Sequence, residues 1–445
     1  MYDASIVIPT YNRSRLLELT LVSLLKQDIR DFTFETIIVD DGSTDDTQEI
    51  VRKYERLLHI TYIYQEHIGN SPSKSRNKGI AAASGNTVIF IDSGVVAGKD
   101  LVYEHCVANK YNGSCTVIGN VYALYTPIED TGFDILFDIT DIERSLANFR
   151  LNEPYHDYRL GFYEYFNYDL TLAPAPWHFF WTCNVSVPRN VLKGSVLFDE
   201  NYGCWGMEDV DLGFRLYKAG TPFVFARYAE VIHVPHSTAA EFSRKNESNQ
   251  QNTVLFHTTH NCFDSEMCFC GNELNLNLCM KLLLDAQRFD FNQIKVPGLF
   301  KFLDRQSTLV FGGYNEGILK QIPEAHILEY NKTNYDALKR MMPSEHLHNY
   351  LGVHTPLTNR FHSVFITDFW QYLNERYLLA LVKEALRLGK TVYLLLEVSI
   401  DKKAALSIDK DALRDLGQCL AALGLNHTIQ RFSSFNVGLS VIIIS

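Results

Sequence analysis

The segment FETIIVDDGSTD, residues 34–45, decides the fold because a strand-like run stops there at two aspartates and a glycine. After this turn, residues 44–57 have the polar start and the spacing of a helix. The same order occurs earlier, where the run Ser-Ile-Val-Ile-Pro at residues 5–9 is followed by leucines at helical spacing in residues 15–26. Alternating strands and helices are typical of a mostly parallel sheet, so the sequence predicts an α/β fold.

Acidic and hydroxyl residues follow the predicted strands where each strand ends. Thr10 follows the first run, Asp40 and Asp41 follow the second, and Asp92 follows a further run at residues 87–91. Ligands of parallel α/β sheets bind beyond the carboxyl ends of the strands. The sequence therefore predicts a binding site that combines these four side chains.

The composition limits the function classes. The chain has 445 residues, of which 46% are hydrophobic, with 41 basic and 52 acidic side chains and a net charge of −11. This composition excludes intrinsic disorder, and the length exceeds what a single hydrophobic core usually supports, so we expect two domains. Because the balance is acidic and no run of lysine or arginine occurs, nucleic acid is not expected as a partner.

The N-terminus and the cysteines indicate the compartment. Residues 1–5 lead directly into the first predicted strand without the charged and apolar regions of a signal peptide. No apolar run approaches the ~20 residues that a membrane-spanning helix needs. The nine cysteines are scattered and odd in number, which fits a reducing compartment. We therefore expect a soluble, cytoplasmic protein with no transmembrane segment.

The chain after residue 125 is less regular and then alternates again. Residues 126–175 are rich in aromatic residues, which form either a satellite core under long loops or the wall of an acceptor site. A second series of strands and helices starts after Pro297. The sequence predicts three parts: a first domain at residues 1–240, a helical or irregular connector at 241–294, and a second, Rossmann-like α/β domain at 295–445.

Five motifs follow one another along the first domain: IPTYN at residues 8–12, VDDGSTD at 39–45, SRNKG at 75–79, FID at 90–92 and WGMEDVDL at 205–212. Together they resemble the inverting nucleotide-sugar glycosyltransferases of family 2, which have the GT-A fold. The last motif resembles the W-G-x-E-D variant of galactosyl- and N-acetylgalactosaminyltransferases. The resemblance covers roughly residues 4–240. It implies transfer of a sugar from a nucleotide diphosphate, in particular uridine diphosphate (UDP), to an acceptor.

The resemblance also implies where the donor is bound. A nucleotide diphosphate needs an acceptor for the base edge and a cation for the phosphates. Asp41 can accept the N3–H of a uracil, and Arg76 offers its guanidinium to the base or the phosphates. Taken alone, residues 40–43 also fit an ordinary capped βα turn. The predicted donor-binding residues are Pro9, Thr10, Tyr11, Asp41, Arg76, Asp92 and Ser93.

Two neighbouring carboxylates carry the chemistry in this interpretation. Inverting transfer needs one carboxylate that takes a proton from the acceptor as the acceptor attacks the anomeric carbon. By resemblance, Asp209 is this base and Glu208 holds acceptor hydroxyls, while Trp205 and Gly206 complete the acceptor site. The alternatives are that both carboxylates cap a helix and that the tryptophan packs in the core.

The expected metal site departs from the family pattern. These enzymes usually carry Asp-x-Asp at this strand end, and its last aspartate binds the Mn²⁺ or Mg²⁺ that neutralises the leaving diphosphate. Here the residues are Asp92, Ser93 and Gly94. Three arrangements stay open: Asp92 moves to the metal, His233 or His236 supplies a ligand, or basic residues replace the metal. We favour a metal bound by Asp92 and His233.

A further cluster has residue types that bind zinc: His257, His260, Cys262, Cys268 and Cys270. Its spacing matches no closed structural zinc site well, and cysteines are often plain buried residues. A zinc site is the less favoured interpretation.

The second domain resembles a class I methyltransferase that uses S-adenosylmethionine. Gly313 and Gly317 would allow close approach of the backbone to this cofactor, and Glu329 would bind its ribose hydroxyls. The chain departs from the family at Phe311 and Asn315. We therefore favour a vestigial module for docking or homodimerisation over a working methyltransferase.

The sequence thus predicts an inverting glycosyltransferase with two rival functions. One rival is a bifunctional protein that also methylates its product, and the other is a scaffold that binds a nucleotide without turnover. The acceptor classes that fit are a saccharide, a small metabolite and a peptide.

Overall fold

The structure is a computed structural model that describes residues 2–444 except 70–71, 193, 195–196, 204, 271–275, 287–302, 304–306, 314–315, 401–402, 408–409 and 435–436. It divides into two compact units, Met1–Phe256 (unit 1) and His257–Ser445 (unit 2). Of the predicted domain boundaries, residue 240 falls inside a helix and residue 294 lies outside the described residues. The predicted connector therefore stays a prediction.

Unit 1 contains a mixed sheet. Its strands are β1 (Ala4–Thr10), β2 (Phe34–Asp40), β3 (Ile60–Tyr64), β4 (Thr87–Phe90), β5 (Val95–Ala97), β6 (Thr116–Tyr122), β7 (Val185–Pro188) and β8 (Phe223–His233). They are arranged in the order β3-β2-β1-β4-β7-β6-β8-β5.

The predicted parallel strands are confirmed. β1 pairs in parallel with β2 and with β4, and β2 pairs in parallel with β3. All of β1 except Pro9 and all of β2 except Phe34 is buried, as is typical of strands inside a parallel sheet. The register places Thr10 beside Asp40, so these two strand ends share one edge.

The helices of unit 1 connect these strands. They are α1 (Ser14–Leu24), α2 (Thr47–Tyr54), α3 (Pro72–Ala82), α4 (Leu101–Asn112), α5 (Thr131–Leu136), α6 (Ile142–Arg150), α7 (Leu160–Tyr165), α8 (Glu208–Lys218) and α9 (Ala239–His260), the last of which runs across the unit boundary.

Residues 176–179 form a 3₁₀ helix that packs against α8, and the short strand β7 follows it in the chain. The polar stretch at residues 243–253 is part of α9. The aromatic residues of 126–175 divide between both interpretations, since Phe149 and Tyr163 are fully buried whereas Tyr158 is exposed.

Unit 2 contains a second sheet, which confirms the predicted second Rossmann-like α/β domain. Its strands are β9 (Thr308–Phe311), β10 (His326–Leu328), β11 (Leu347–His348), β12 (Phe361–Ile366), β13 (Gly389–Ile400), β14 (Lys403–Ser407), β15 (His427–Ser434) and β16 (Val437–Ile444). Their order is β11-β10-β9-β12-β13-β16-β15, with β14 beside β13. The strands from β11 to β13 run parallel, and β16 runs antiparallel to both of its neighbours.

The helices of unit 2 are α10 (Phe263–Cys270), α11 (Leu276–Asp285), α12 (Glu316–Gln321), α13 (Lys332–Leu338), α14 (Glu375–Leu388) and α15 (Lys410–Ala422). A buried apolar cluster that includes Val310, Ile327, Phe365 and Leu395 joins six of the strands, β9 to β13 and β16. Within the described residues of both units, no helix combines the length and the apolar character needed to cross a membrane.

Candidate active site

The predicted donor-site residues lie at the carboxyl edge of the sheet in unit 1. Thr10 and Asp40 end neighbouring strands, and Asp92 follows β4. Asp40 shapes the turn, since its carboxylate accepts hydrogen bonds from the backbone N–H of Ser43 at 2.8 Å and from the hydroxyl of Tyr62 at 2.6 Å. Asp40 is therefore occupied by contacts with the turn and with β3.

Asp41 is held by residues that the sequence analysis missed. Its carboxylate accepts a hydrogen bond from the side-chain amide of Gln65 and lies 2.8 Å from Nδ1 of His67. Gln65 also donates to Oγ of Ser75 at 3.1 Å, which links Asp41 to α3. The ring of His67 stacks on Tyr11, with 4.1 Å between the ring centroids. These contacts give Asp41 a fixed orientation beside two stacked aromatic rings.

Arg76 connects the two halves of the predicted site. It lies in α3 and is only 5% exposed. Its Nη2 is 3.1 Å from Oδ1 of Asp92, and its Nη1 is 3.1 Å from Oε1 of Glu208. Burial lowers the pKa of Arg76, but the carboxylates of Asp92, Glu208 and Asp209 outweigh burial and raise it above its ordinary value. The guanidinium is thus a permanent cation between Asp92 and Glu208.

The segment that carries the predicted base is a tight turn at the start of α8. Gly206 and Met207 both have positive φ values, 101° and 67°, and this turn aims the first residues of α8 toward Arg76. Oε2 of Glu208 accepts the backbone N–H of Gly206 at 2.9 Å, so Glu208 serves the turn as well as the ion pair. Gly206 precedes the N-cap Met207, so this hydrogen bond stabilises the turn and does not cap α8.

Asp209 differs from Glu208 in its partners. Its carboxylate accepts backbone N–H groups of Thr182 at 3.2 Å and of Val210 at 2.8 Å. Burial, together with the neighbouring charge of Glu208, raises the pKa of Asp209 to about 7, although Arg76 opposes this rise. The side chain keeps partial exposure. A partly accessible carboxylate with a pKa near neutrality is suited to accept a proton from a bound molecule.

Helix α9 supports the turn that contains Trp205 and Gly206. Ser248 donates to the carbonyl of Trp205 at 2.9 Å, and the side-chain amide of Asn252 donates to the carbonyl of Gly206 at 2.7 Å. A Cβ at residue 206 would lie 2.4 Å from Oδ1 of Asn249, which explains the glycine. The polar residues of 243–253 therefore position the acceptor-site turn.

The segment expected to bind metal is shaped by a glycine. Gly94 has a φ of 102°, and a Cβ there would lie 3.3 Å from Leu16. An aspartate at this position would adopt a strained backbone conformation. Ser93 is turned inward, and its hydroxyl donates to the carbonyl of Pro9 at 3.0 Å. The usual metal-binding carboxylate is thus replaced by a turn that favours glycine.

The predicted histidine ligands lie at the end of β8. His233 and His236 have ring centroids 5.0 Å apart, and Nδ1 of His236 is 3.1 Å from the carbonyl of Val234. Burial, followed by the neighbouring His236, lowers the pKa of His233 to about 3, so its imidazole is neutral near pH 7. The described part of the chain contains no group of three or more His, Cys, Asp or Glu residues placed to hold a metal ion.

Three of the zinc-type residues make contacts with side-chain or backbone oxygens. Nδ1 of His257 lies 3.0 Å from the hydroxyl of Ser265, and the thiol of Cys268 donates to the carbonyl of Asp264 at 3.9 Å. Cys262 also faces Ser265. The side chain of Cys270 lies outside the described residues.

The residues predicted for S-adenosylmethionine are closely packed within unit 2. Gly313 is adjacent to Ile327, and a Cβ at residue 313 would lie 2.7 Å from that side chain. Gly317 lies inside α12. Glu329 is fully buried, and its carboxylate accepts the backbone N–H of Asn331 at 2.9 Å. The predicted ribose-binding carboxylate is therefore turned into the protein.

Comparison with known proteins finds similarities to the N-terminal part of the chain. Residues 5–187 match the family model described as "Glycosyl transferase family 2". The chain is 35% identical over 239 residues to validoxylamine A glucosyltransferase of Streptomyces hygroscopicus subsp. limoneus, covering 53% of this chain and 52% of the relative. It is 32% identical over 238 residues to chondroitin synthase of Escherichia coli, covering 52% of this chain and 34% of the relative.

Solved structures give weaker likenesses. The crystal structure of S. aureus TarS 1-349 in complex with UDP-GlcNAc matches 60% of this chain and 70% of its own, with a TM-score of 0.41 and 18% identity. The chain spans about half the length of the first curated relatives it matches. The family match covers Thr10, Asp41, Arg76 and Asp92, and it ends before Glu208 and Asp209.

Proposed function

We propose, from the premise that residues 5–187 match the model of glycosyl transferase family 2, that unit 1 is an inverting glycosyltransferase that uses a UDP-linked sugar. The observation that carries the proposal is the position of Arg76, which contacts both Asp92 and Glu208 at 3.1 Å. This one side chain brings the donor-site and acceptor-site motifs, far apart in the sequence, to the same place.

The reaction follows from the two carboxylates of α8. Deprotonated Asp209 accepts the proton of an acceptor hydroxyl, and the hydroxyl oxygen forms a bond to the anomeric carbon of the donor sugar. The bond from that carbon to the phosphate oxygen breaks, and its electron pair leaves with UDP. Glu208, held by Arg76, hydrogen-bonds to acceptor hydroxyls. A pKa of Asp209 near 7 matches this task, because a general base is most effective when its pKa lies near the working pH.

The donor class is supported by the surroundings of Asp41. A carboxylate fixed by Gln65 and His67 beside the exposed ring of Tyr11 offers an acceptor for a uracil N3–H and a surface for stacking. One relative is named a glucosyltransferase, which supports a hexosyl donor, with an N-acetylhexosaminyl donor as the second choice.

The residues do not fit the predicted divalent metal. Asp92 is the carboxylate expected to bind it, but this group is already ion-paired with Arg76. Gly94 replaces the second carboxylate, and His233 alone supplies too few ligands for a hard divalent cation. We therefore derive no step through a metal.

We do not propose methyl transfer by unit 2. Glu329 is turned into the protein and Gly313 is closely packed, as described above, so no observation favours that activity.

The test is release of UDP by the full chain from a panel of UDP sugars, with and without candidate acceptors. We expect turnover with at least one donor, and Asp209→Asn should reduce it by about 10²- to 10⁴-fold because the base is removed. Asp134→Asn, on the exposed surface of α5, is the matched control and should keep wild-type turnover.

Two results would contradict the proposal. If Asp209→Asn turned over at the rate of the wild type, Asp209 would not be the base. If the wild type bound UDP but released none from any donor, the scaffold function would replace the enzyme.

A further inference from the structure

Beside Asp92 lies a second group of cations that neither the motifs nor the family match assigns. Arg13 lies in the turn between β1 and α1, directly beyond the carboxyl end of β1. Lys245 comes from α9, which approaches from the other end of the sequence. Arg13, Lys245 and Asp92 all interact electrostatically with one another.

Lys245 is fixed in place by three contacts. Its Nζ donates to the hydroxyl of Ser237 at 2.8 Å and lies 5.7 Å from the ring centroid of Trp205. It also lies 5.3 Å from the ring centroid of Phe242. The ammonium is therefore held beside the acceptor-site turn.

Arg13 is partly buried, and within the described residues its guanidinium has no hydrogen bond and no ion pair. Burial lowers the pKa of Arg13, and burial together with Arg13 lowers the pKa of Lys245, whereas the carboxylates of Asp92 and Glu241 oppose both effects. The two cations repel each other and are partly desolvated, and neither forms an ion pair within the described residues. Such an arrangement is unfavourable unless an anion binds.

Three further groups around this cluster lack partners. Oγ1 of Thr10, Nε of Arg76 and Nδ1 of His233 are buried and make no hydrogen bond within the described residues. All three side chains are more than nine-tenths buried. Buried polar atoms in native proteins are nearly always paired, so these atoms indicate a polar ligand.

We propose that Arg13 and Lys245 bind the diphosphate of the donor and neutralise it as it leaves. The inference rests on the proposed function and assigns to this cation pair the role that the sequence analysis gave to a metal. When the bond between the anomeric carbon and the phosphate oxygen breaks, the electron pair remains on the diphosphate. Arg13 and Lys245 donate N–H hydrogen bonds to it, and no proton is transferred. Fixed cations at a leaving group lower the barrier because they need no reorganisation.

The test compares UDP with uridine by titration calorimetry on the full chain, in EDTA and in MnCl₂. The two ligands share the base and ribose and differ in the diphosphate. Only the affinity for UDP should therefore depend on Arg13 and Lys245. In EDTA, the wild type should bind UDP. Arg13→Ala and Lys245→Ala should each weaken UDP binding by about tenfold to a hundredfold, as for loss of a charged hydrogen bond, and should change uridine binding less than twofold. Addition of MnCl₂ should not restore the UDP affinity of either alanine variant.

Matched variants separate charge from folding. Arg15→Ala, on the exposed side of α1 two positions from Arg13, should bind UDP as the wild type does. Arg13→Lys should keep part of the affinity. If Arg13→Ala unfolds, Arg13→Lys and Lys245→Ala carry the test.

Several results would overturn the inference. If UDP binding by the wild type disappears in EDTA, a metal binds the diphosphate. If the wild type and both alanine variants bind UDP with equal affinity, Arg13 and Lys245 do not bind the diphosphate. Absence of any binding of UDP and of uridine by the wild type would reject the proposed function together with this inference, which distinguishes that failure from the other two.

Discussion

The carboxyl edges of the two sheets carry similar residue types but differ in what those residues contact. In unit 1, Oγ1 of Thr10 and Nε of Arg76 are buried without hydrogen-bond partners among the described residues. In unit 2, Glu266 fills the turn after β11, since its carboxylate accepts the backbone N–H groups of residues 351–354 at 2.6–2.9 Å. Nε2 of His348, at the end of β11, is an unpartnered atom among the described residues of unit 2. Glu266 thus stabilises the fold through satisfied hydrogen bonds, whereas Thr10 and Arg76 each keep one polar atom for a partner from outside the chain.

Among the variants of the two units, Arg76→Met is expected to have the largest effect on stability. The change removes the cation between Asp92 and Glu208 and leaves two carboxylates without it. Breaking a buried ion pair from one side typically lowers the free energy of unfolding by about 3–5 kcal/mol. Hydrogen exchange should show faster exchange in peptides from β1 and β4 and no change in those from β9 and β12. Arg15→Met is the exposed control, and equal loss in both variants would refute the ion-pair explanation.

The corresponding change in unit 2 is Glu266→Gln, with a smaller expected effect. The neutral amide keeps one acceptor oxygen for the four backbone N–H groups that the carboxylate now holds with two. We expect a loss of about 1–3 kcal/mol in the stability of unit 2, measured by exchange in β11 and β12 peptides. Burial raises the pKa of Glu266 to about 7, so the stability that this group contributes is lost as the pH rises through about 7, and the difference between the two proteins should be smaller at pH 8 than at pH 6. UDP binding should be unaffected. A loss of UDP affinity in Glu266→Gln would contradict a purely structural role of Glu266.

Much of the fold was predictable, because buried parallel strands read as nearly continuous apolar runs. β1, β2 and β4 were predicted within one or two residues for this reason. β6 was missed because Gly119 and Asn120 interrupt its apolar pattern. Gly119 is required there, since a Cβ would lie 2.2 Å from the side chain of Asn184. Such packing between distant segments leaves no local signal.

The candidate site was predictable where a residue belongs to a motif. Asp41, Arg76, Asp92, Glu208 and Asp209 all came from motifs, and the contacts of Arg76 join Asp92 and Glu208.

Four residues were missed: Arg13, Gln65, His67 and Lys245. Gln65 directly follows β3, and strand ends are a signal that could have identified it. Lys245 lies in a polar stretch of α9, where only the three-dimensional structure shows that it reaches Trp205.

The protonation of Asp209 should make both turnover and the stability of unit 1 depend moderately on pH. Because the pKa of Asp209 is about 7, turnover limited by this base should rise about tenfold between pH 6 and pH 8.

The raised pKa also means that the folded protein favours protonated Asp209. The stability from this group is fully present below its ordinary pKa of ~3.9 and is lost as the pH rises through about 7. Asp209→Asn should therefore melt at a higher temperature than the wild type at pH 8 and at an equal temperature near pH 3. A flat rate profile from pH 6 to pH 8 would contradict the assignment.

The smallest expected effect concerns S-adenosylmethionine and unit 2. The cofactor would need the carboxylate of Glu329 for its ribose, yet that group is fully buried and accepts the N–H of Asn331. Releasing it would leave a backbone donor unsatisfied, at a cost of about 1–3 kcal/mol before any contact to a ligand forms. Calorimetric titration of the full chain with S-adenosylmethionine should therefore give no binding heat, and Glu329→Gln should not change that result. If the wild type binds the cofactor and Glu329→Gln does not, then Glu329 turns outward on binding. The carboxyl edge of the sheet in unit 2 would then also bind a ligand, and it would differ from the edge in unit 1 because Glu329 is turned into the protein when no ligand is bound.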